Sequence, residues 1–557
     1  MTKTASVFKT SLNAVLTACL LCCPQASFPQ TASNQKIAQA ANLIQPADLK
    51  ADLYFLASDD LAGRSITSIG DYVATDYIAS EFMRLGLKPV GDNGTFFQSM
   101  DIVSGDLDHE HTTMTAKIGD VDHTYTLNKD FHWARQSLRP TTACGAVVFA
   151  GYGIDAPEFA YNDFSGIDLK GKIAVVFARE PQANEPSSKF MGTWDTYHAF
   201  NWDKIEELRK QGVAGLLIVQ DRVPRDVKAI PATAKRSAGG SLYALNGEMW
   251  DVPVFTVSRE VADQLLAPKG KTTDALQSEI DRTVHPDSFE VPQSSVCLSK
   301  AYTGLQTRRG RNVVALLEGS DSSLKAQTLI LTAHHDHMGV IDGHIYHGAD
   351  DNASGVVGLL EMAKALVKGN IRPKRSILFV AYDGEERLFL GSYFYVTHPI
   401  MPLDQTIATI NLDMIGRNED DSNWPTPADH NVNMVNVLGT RYNPALRQVF
   451  DRENQHEGLK LDYKMDVVDP DSLWSRSDHF WFATLHIPQV EFQTGLHPDY
   501  HTENDTWERI NYPKLTKIIR LVFLSSTEIA NSANKIPFLP AGGTVSSPNG
   551  KVSVARP

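Results

Sequence analysis

In the stretch LTAHHDHMG, residues 331–339, a short apolar run gives way to His334, His335, Asp336 and His337. Three imidazoles and a carboxylate at the end of an apolar run are costly to bury without a partner. They are suitable donors for a divalent cation, because catalytic zinc takes imidazole and carboxylate. Related groups recur downstream. Asp350 and Asp351 precede a helical stretch, Glu385 and Glu386 follow ILFVAYD, Asp413 follows ATINL, and His501 follows VEFQTGLHPDY. Singly, each has a plain structural explanation: a helix cap, a solvated turn or a hydrogen-bonded histidine. Together, so many acidic groups require cations. Five donors exceed the needs of three-ligand catalytic zinc and suit two metals sharing one bridging carboxylate. Such a pair clamps attacking and leaving oxygens and makes water a nucleophile at neutral pH.

These residues need a frame that gathers them. RNVVALLEG, QTLILTA, RSILFVAY, TIATINLDM and IPQVEF read as strands, and SGVVGLLEMAKALVKG and PKLTKIIRLVFLSSTEIANS read as helices. The first helix places Val356, Leu359, Leu360, Ala363 and Leu366 at helical spacing. Alternation of this kind predicts an α/β fold with a mostly parallel, mixed central sheet flanked by helices. In such sheets, ligands bind beyond the carboxyl ends of the strands. His334, Glu385, Glu386 and Asp413 all fall there. Residues 48–90 read as helical, with Val73, Tyr77, Ile78, Phe82 and Leu85 on one stripe. From about 143, short apolar strands such as GKIAVVFARE alternate with turns and a charged helix. Residues 268–310 read as a polar connection, and the Pro/Gly/Ser-rich residues 536–557 as a flexible tail.

The chain has 557 residues, which predicts two or three domains. Hydrophobic residues make up 42% and charged residues 21%, the balance of a globular protein. A net charge of −14 argues against nucleic acid or an anionic membrane as the main partner. Residues 1–26 read as an export signal, with Lys3 and Lys9 before an apolar run too short to span a bilayer. Export to the periplasm or medium is expected. A lipid anchor at Cys19, within LTAC, is the alternative.

The set AHHDH, GADDNASG, DGEER, NLDMIG, SDHF and DYHTENDT, in that order, resembles the co-catalytic zinc aminopeptidases of metallopeptidase family twenty-eight. The resemblance implies two divalent metals, most readily Zn2+, and peptide substrates. It makes His334, Asp351 and Asp413 the ligands of a first metal. Asp351, Glu386 and His501 become those of a second. Glu385 becomes the general base and Asp336 the group that orients His334. It implies a cis peptide between Asp351 and Asn352, and it gives no metal role to His335 or His337. Asp478 and His479 are candidate substrate-binding residues.

Residues 143–290 resemble a protease-associated domain inserted in the peptidase. The expected organisation is a linker at 27–47, the first peptidase part at 48–142, the insertion at 143–290 and the catalytic part at 291–535. Cys144 and Cys297 flank the insertion and are expected to form a disulfide at the domain junction; two buried thiols are the alternative. Rival functions are a carboxypeptidase or dipeptidase of the same fold, using Arg417 or Arg476 to hold a substrate carboxylate, a single-zinc glutaminyl cyclase, and an inactive binding protein. The sequence leaves oligomeric state open.

Overall fold

The computed structural model describes residues 32–133, 138–222, 242–246, 252–420, 431–469 and 472–542, and the backbone of 545–547 and 550–552. The signal region and Cys19 lie outside the described residues. No described helix is long and apolar enough to cross a membrane.

The central strands of the larger sheet are rich in apolar residues because both faces are covered. Thr328–His334, Ser376–Tyr382, Thr406–Leu412 and Gln489–Gln493 are buried at every position. The ten-stranded sheet runs Leu242–Leu245, Phe97–Leu107, Tyr302–Leu317, Ser376–Tyr382, Thr328–His334, Thr406–Leu412, Gln489–Gln493, Met434–Leu438, Lys460–Asp462, with Lys88–Pro89 beside Tyr302–Leu317. Its four central strands are parallel, from Ser376–Tyr382 to Gln489–Gln493. Antiparallel strands complete it on both sides. Side chains alternate between two cores. Leu329, Leu331, Phe379 and Ile410 pack against helices that include Gly355–Lys368 and Tyr512–Asn531. Ile330, Leu378 and Val380 meet Tyr395 and Phe482 on the other face.

A second, eight-stranded sheet runs Val121–Tyr125, Thr113–Ile118, Phe289–Lys300, Thr141–Phe149, Ile173–Phe177, Gly215–Val219, Val254–Val257, Phe131–Trp133. It reaches beyond residues 143–290 on both sides. Strands from 113 to 133 and from 289 to 300 belong to it, because their alternating side chains cover its core. Conversely, Leu242–Leu245, inside the expected insertion, pairs with Phe97–Leu107 of the large sheet. The polar stretch 268–310 is also structured. Thr272 caps the helix Thr273–Thr283, and Leu276 and Ile280 are buried beneath it.

Two further expectations change. The linker at 27–47 contains the helix Ala32–Ala41, with Ala40, Ala41 and Ile44 buried. The tail begins as packed chain: Phe538 stacks on Tyr442 at 4.9 Å and His486 at 5.3 Å. On the helix Ile69–Arg84, Ile78 and Phe82 are buried as expected, but Val73 is exposed.

Cys144 and Cys297 form the expected disulfide. They face one another across the antiparallel pair Thr141–Phe149 and Phe289–Lys300. The bond therefore lies within the second sheet, where its first central strand meets its exit strand, rather than between the two sheets.

Candidate metal centre

Each central strand stops where its last backbone hydrogen bond ends, and its next residues turn into a common rim. His334 is the last residue of its strand and lies opposite Tyr382. Glu385 and Glu386 form a short turn just beyond Tyr382. Asp413 follows Leu412, and its N–H donates to Phe492 O at 3.1 Å. His501 comes from the loop after Gln489–Gln493. Asp350 and Asp351 enter from the turn before Gly355–Lys368, and the Asp351–Asn352 peptide is cis.

Hydrogen bonds fix that turn. Asn352 Nδ2 donates to Leu412 O at 2.8 Å, and Asn352 Oδ1 accepts from Gly355 N at 2.9 Å. The Asp505 carboxylate accepts from Asp350 N and Asp351 N at 3.0 and 3.1 Å. Asp350 Oδ1 accepts from Gly416 N at 2.6 Å. Asp351 is thereby aimed between two groups of donors. Its Oδ1 lies 3.3 Å from His334 Nε2, and its Oδ2 lies 2.9 Å from His501 Nε2.

On the first side, His334 Nε2 is also 3.3 Å from Asp413 Oδ1 and 3.9 Å from Glu385 Oε2. On the second, Glu386 Oε1 lies 3.2 Å from His501 Nε2 and 2.8 Å from His337 Nδ1. Two triads have ligand atoms gathered within 4.8 Å: His334, Glu385 and Asp413, and His337, Asp351 and Glu386. They are candidate metal-binding groups, consistent with a two-metal site. A third such group, Asp71, His335 and Asp383, lies behind it.

A polar chain steers Asp413. Thr332 Oγ1 donates to Asn411 Oδ1, Asn411 Nδ2 donates to Ser477 Oγ, and Ser477 Oγ donates to Asp413 Oδ2, at 2.8, 2.7 and 2.7 Å. Asp336 acts differently from the expectation. His334 Nδ1 lies 3.2 Å from the main-chain oxygen of Asp336 and 3.7 Å from its carboxylate. The carboxylate instead accepts from Glu385 N at 3.0 Å. One residue therefore orients both the imidazole and the turn that carries Glu385.

The electrostatics are those of a crowded anionic pocket. Burial pushes the Glu385 carboxyl well above the usual range, with the Asp413, Glu386 and Asp478 charges adding to it. Asp478 is raised to about 7, again mainly by burial. It interacts with His334 and Asp413 and so belongs to the pocket's surroundings. His479 pairs away from these donors, with Glu491. It is fully buried 3.5 Å from Glu491, and burial lowers it to about 3.

A model of peptidase family M28 matches residues 312–525. The chain is 30% identical over 229 residues to the uncharacterized protein YfbL of Escherichia coli strain K12, spanning 38% of this chain and 68% of that protein. The chain belongs to peptidase family M28. It is a metallo-exopeptidase of the M28 type, with a mixed α/β fold of central sheet and flanking helices. Leucine aminopeptidase 2 of Trichophyton equinum is 25% identical over 342 residues, 57% of this chain and 61% of that protein. The solved aminopeptidase from Aneurinibacillus sp. strain AM-1 aligns with 92% of this chain and 99% of its own at 18% identity, with a TM-score of 0.44.

The M28 chain also holds residues that sequence reading did not single out. Arg64 is buried, and its guanidinium donates to His335 O, His347 O and Gly348 O at 2.9, 2.7 and 2.8 Å, and to Leu56 O. Nothing in its local sequence announces this, because three of its four partners lie 271 to 284 positions away. His337, to which the resemblance gives no metal role, sits against Glu386 at 2.8 Å.

Proposed function

We propose that this M28 chain is an exported aminopeptidase that removes N-terminal residues from peptides. The observation that carries the reading is Asp351, one oxygen turned to each group of donors. That is the arrangement of a bridging carboxylate between two cations. The donors fit zinc: imidazole and carboxylate, with both described cysteines engaged in a disulfide.

His334, Asp351 and Asp413 would hold the first ion, and Asp351, Glu386 and His501 the second. Two divalent cations supply Lewis-acid polarisation of a scissile carbonyl and acidify water to a nucleophile at neutral pH. Glu385 is the residue placed to take a proton from that water and return it to the leaving amine. Asp336 keeps its backbone in place, and Ser477 keeps Asp413 turned inward.

The direction of attack follows from the cations nearby. A carboxypeptidase needs a positive side chain for the substrate carboxylate. Arg417 is paired with Asp499 at 2.6 Å, and Arg476 donates to Tyr500 Oη at 3.3 Å. The pocket's surplus of carboxylates favours the α-ammonium of an N-terminus instead. The eight-stranded unit, which we read as a protease-associated domain, walls one side of the cleft. The Cys144–Cys297 disulfide supports export to an oxidising compartment.

The deciding experiment compares leucyl amide with an N-blocked acidic dipeptide, with and without a chelator. Chelator-sensitive release from leucyl amide alone is expected. Preference for the blocked dipeptide reverses the direction, and activity undiminished by metal removal refutes the reading.

A further inference from the structure

His337 is excluded from solvent, and neither of its ring nitrogens has a hydrogen-bond partner. A buried imidazole left in this state is costly. The ring is nevertheless held firmly. His337 N donates to Arg64 O at 3.1 Å, and Arg64 in turn grips the carbonyls of His335, His347 and Gly348. The ring face lies against Gly348, where a β-carbon would stand 2.5 Å from His337 Cγ. Gly348 has φ of +60°, so the backbone there favours glycine on two counts.

His337 Nδ1 is aimed at the second group of donors. It lies 2.8 Å from Glu386 Oε1 and 3.8 Å from Asp351 Oδ2. The shorter contact makes no hydrogen bond, because the oxygen lies off the ring N–H axis. Donors around a metal behave in this way, since their lone pairs converge on the ion and not on one another. Four ligands at 2.0–2.1 Å in a tetrahedron stand about 3.3 Å apart. His337 Nδ1 lies 2.8 Å from Glu386 and 3.8 Å from Asp351, and His501 Nε2 lies 3.2 Å from Glu386 and 2.9 Å from Asp351. The two rings meet edge to face, with centroids 5.6 Å apart.

The first side differs. His334 Nε2 is 3.3 Å from both Asp351 Oδ1 and Asp413 Oδ1, and the nearest further donor is Glu385 Oε2 at 3.9 Å. With Glu385 kept as the proposed base, three protein donors remain on this side. Closed four-donor zinc shells are the stable kind, and open ones are where chemistry enters.

We infer that His337 is a metal ligand. It completes a four-donor shell with His501, Asp351 and Glu386, so that this position fills first and the His334–Asp351–Asp413 position is the exchangeable one. The inference rests on the two-metal reading above but not on the direction of hydrolysis.

The test uses the mature chain stripped by a chelator and reloaded with one or two equivalents of Zn2+. X-ray absorption at the zinc edge counts imidazoles, and calorimetry gives affinity. With one equivalent, two imidazoles per zinc are expected in the wild type. In His337→Ala the count falls to one, and the first equivalent binds more than about 100-fold more weakly, beyond the 10- to 100-fold loss typical of an outer-sphere partner. One imidazole per zinc in the singly loaded wild type overturns the inference without any variant, as does an unchanged count in a folded His337→Ala. A wild type that never takes up a second equivalent overturns the two-metal reading itself.

Discussion

Glu385 shows how closely chemistry depends on single atoms here. Its carboxylate stands 3.9 Å from His334 Nε2, and its N–H is fixed by Asp336 at 3.0 Å. Glu385, the proposed base, stands beside the first donors, whereas the neighbouring Glu386 turns to His337 and His501. Adjacent, chemically identical side chains thus take different roles because the turn between Gly384 and Leu388 sends them to different sides of Asp351. Replacing Glu385 by Gln keeps the shape and removes the base. Turnover of leucyl amide should fall about 10²- to 10⁴-fold. Zinc stoichiometry by elemental analysis should remain that of the wild type. A variant that loses its metal together with its activity would make Glu385 a ligand instead.

The elements bring such residues together, and Arg64 joins three of them. It lies in the turn between the helices Pro46–Leu56 and Ile69–Arg84, and it holds both the His335 end of the strand Thr328–His334 and the Gly348 turn. Asp336, Asp351, Asp505 and Asp71 surround its charge, and burial lowers it to about 10. Arg64→Met would strand several buried carbonyls and leave the acidic groups uncompensated. A loss of roughly 3–5 kcal/mol is expected, the size seen when one partner of a buried charge network is removed, and thermal melting of the apo protein would show it. Melting within a degree of wild type would mean that water replaces the guanidinium. The contrast with the strand ends explains what sequence reading reaches. His334, Glu385, Asp413 and the central strands were legible because each signal is local: an apolar run, then a donor. Arg64 and the Ser477 relay were not, because their meaning lies in partners far along the chain. The extent of the second sheet was hidden for a similar reason. Thr113–Ile118 alternates as any half-exposed strand does, and only its pairing with Phe289–Lys300 assigns it.

At the scale of the whole molecule, the eight-stranded unit is fastened to the catalytic one through residues 191–200. Tyr197 Oη lies 2.8 Å from both Glu158 Oε1 and His486 Nε2, and Tyr197 N donates to the Tyr442 hydroxyl at 3.2 Å. Trp194 packs between Tyr442 and Trp474. Beside this seam, His198 is buried between Asp203 at 2.9 Å and Glu158 at 3.0 Å. Burial alone would lower its pKa. The hydrogen bonds to Asp203 and Glu158 outweigh burial and hold it at about 9, above the ordinary value of 6.5. A folded pKa above the unfolded one stabilises by favouring the proton in the folded state. The contribution is complete below pH 6.5 and disappears as pH rises through about 9. Its full size corresponds to roughly 3 kcal/mol at 1.36 kcal/mol per unit. His198→Gln should therefore melt below the wild type at pH 6, and the difference between the two should narrow steadily by pH 10. A gap of constant width over that range would mean that the imidazole is neutral throughout, and that the seam between the two units relies on Tyr197 and the aromatic cluster alone.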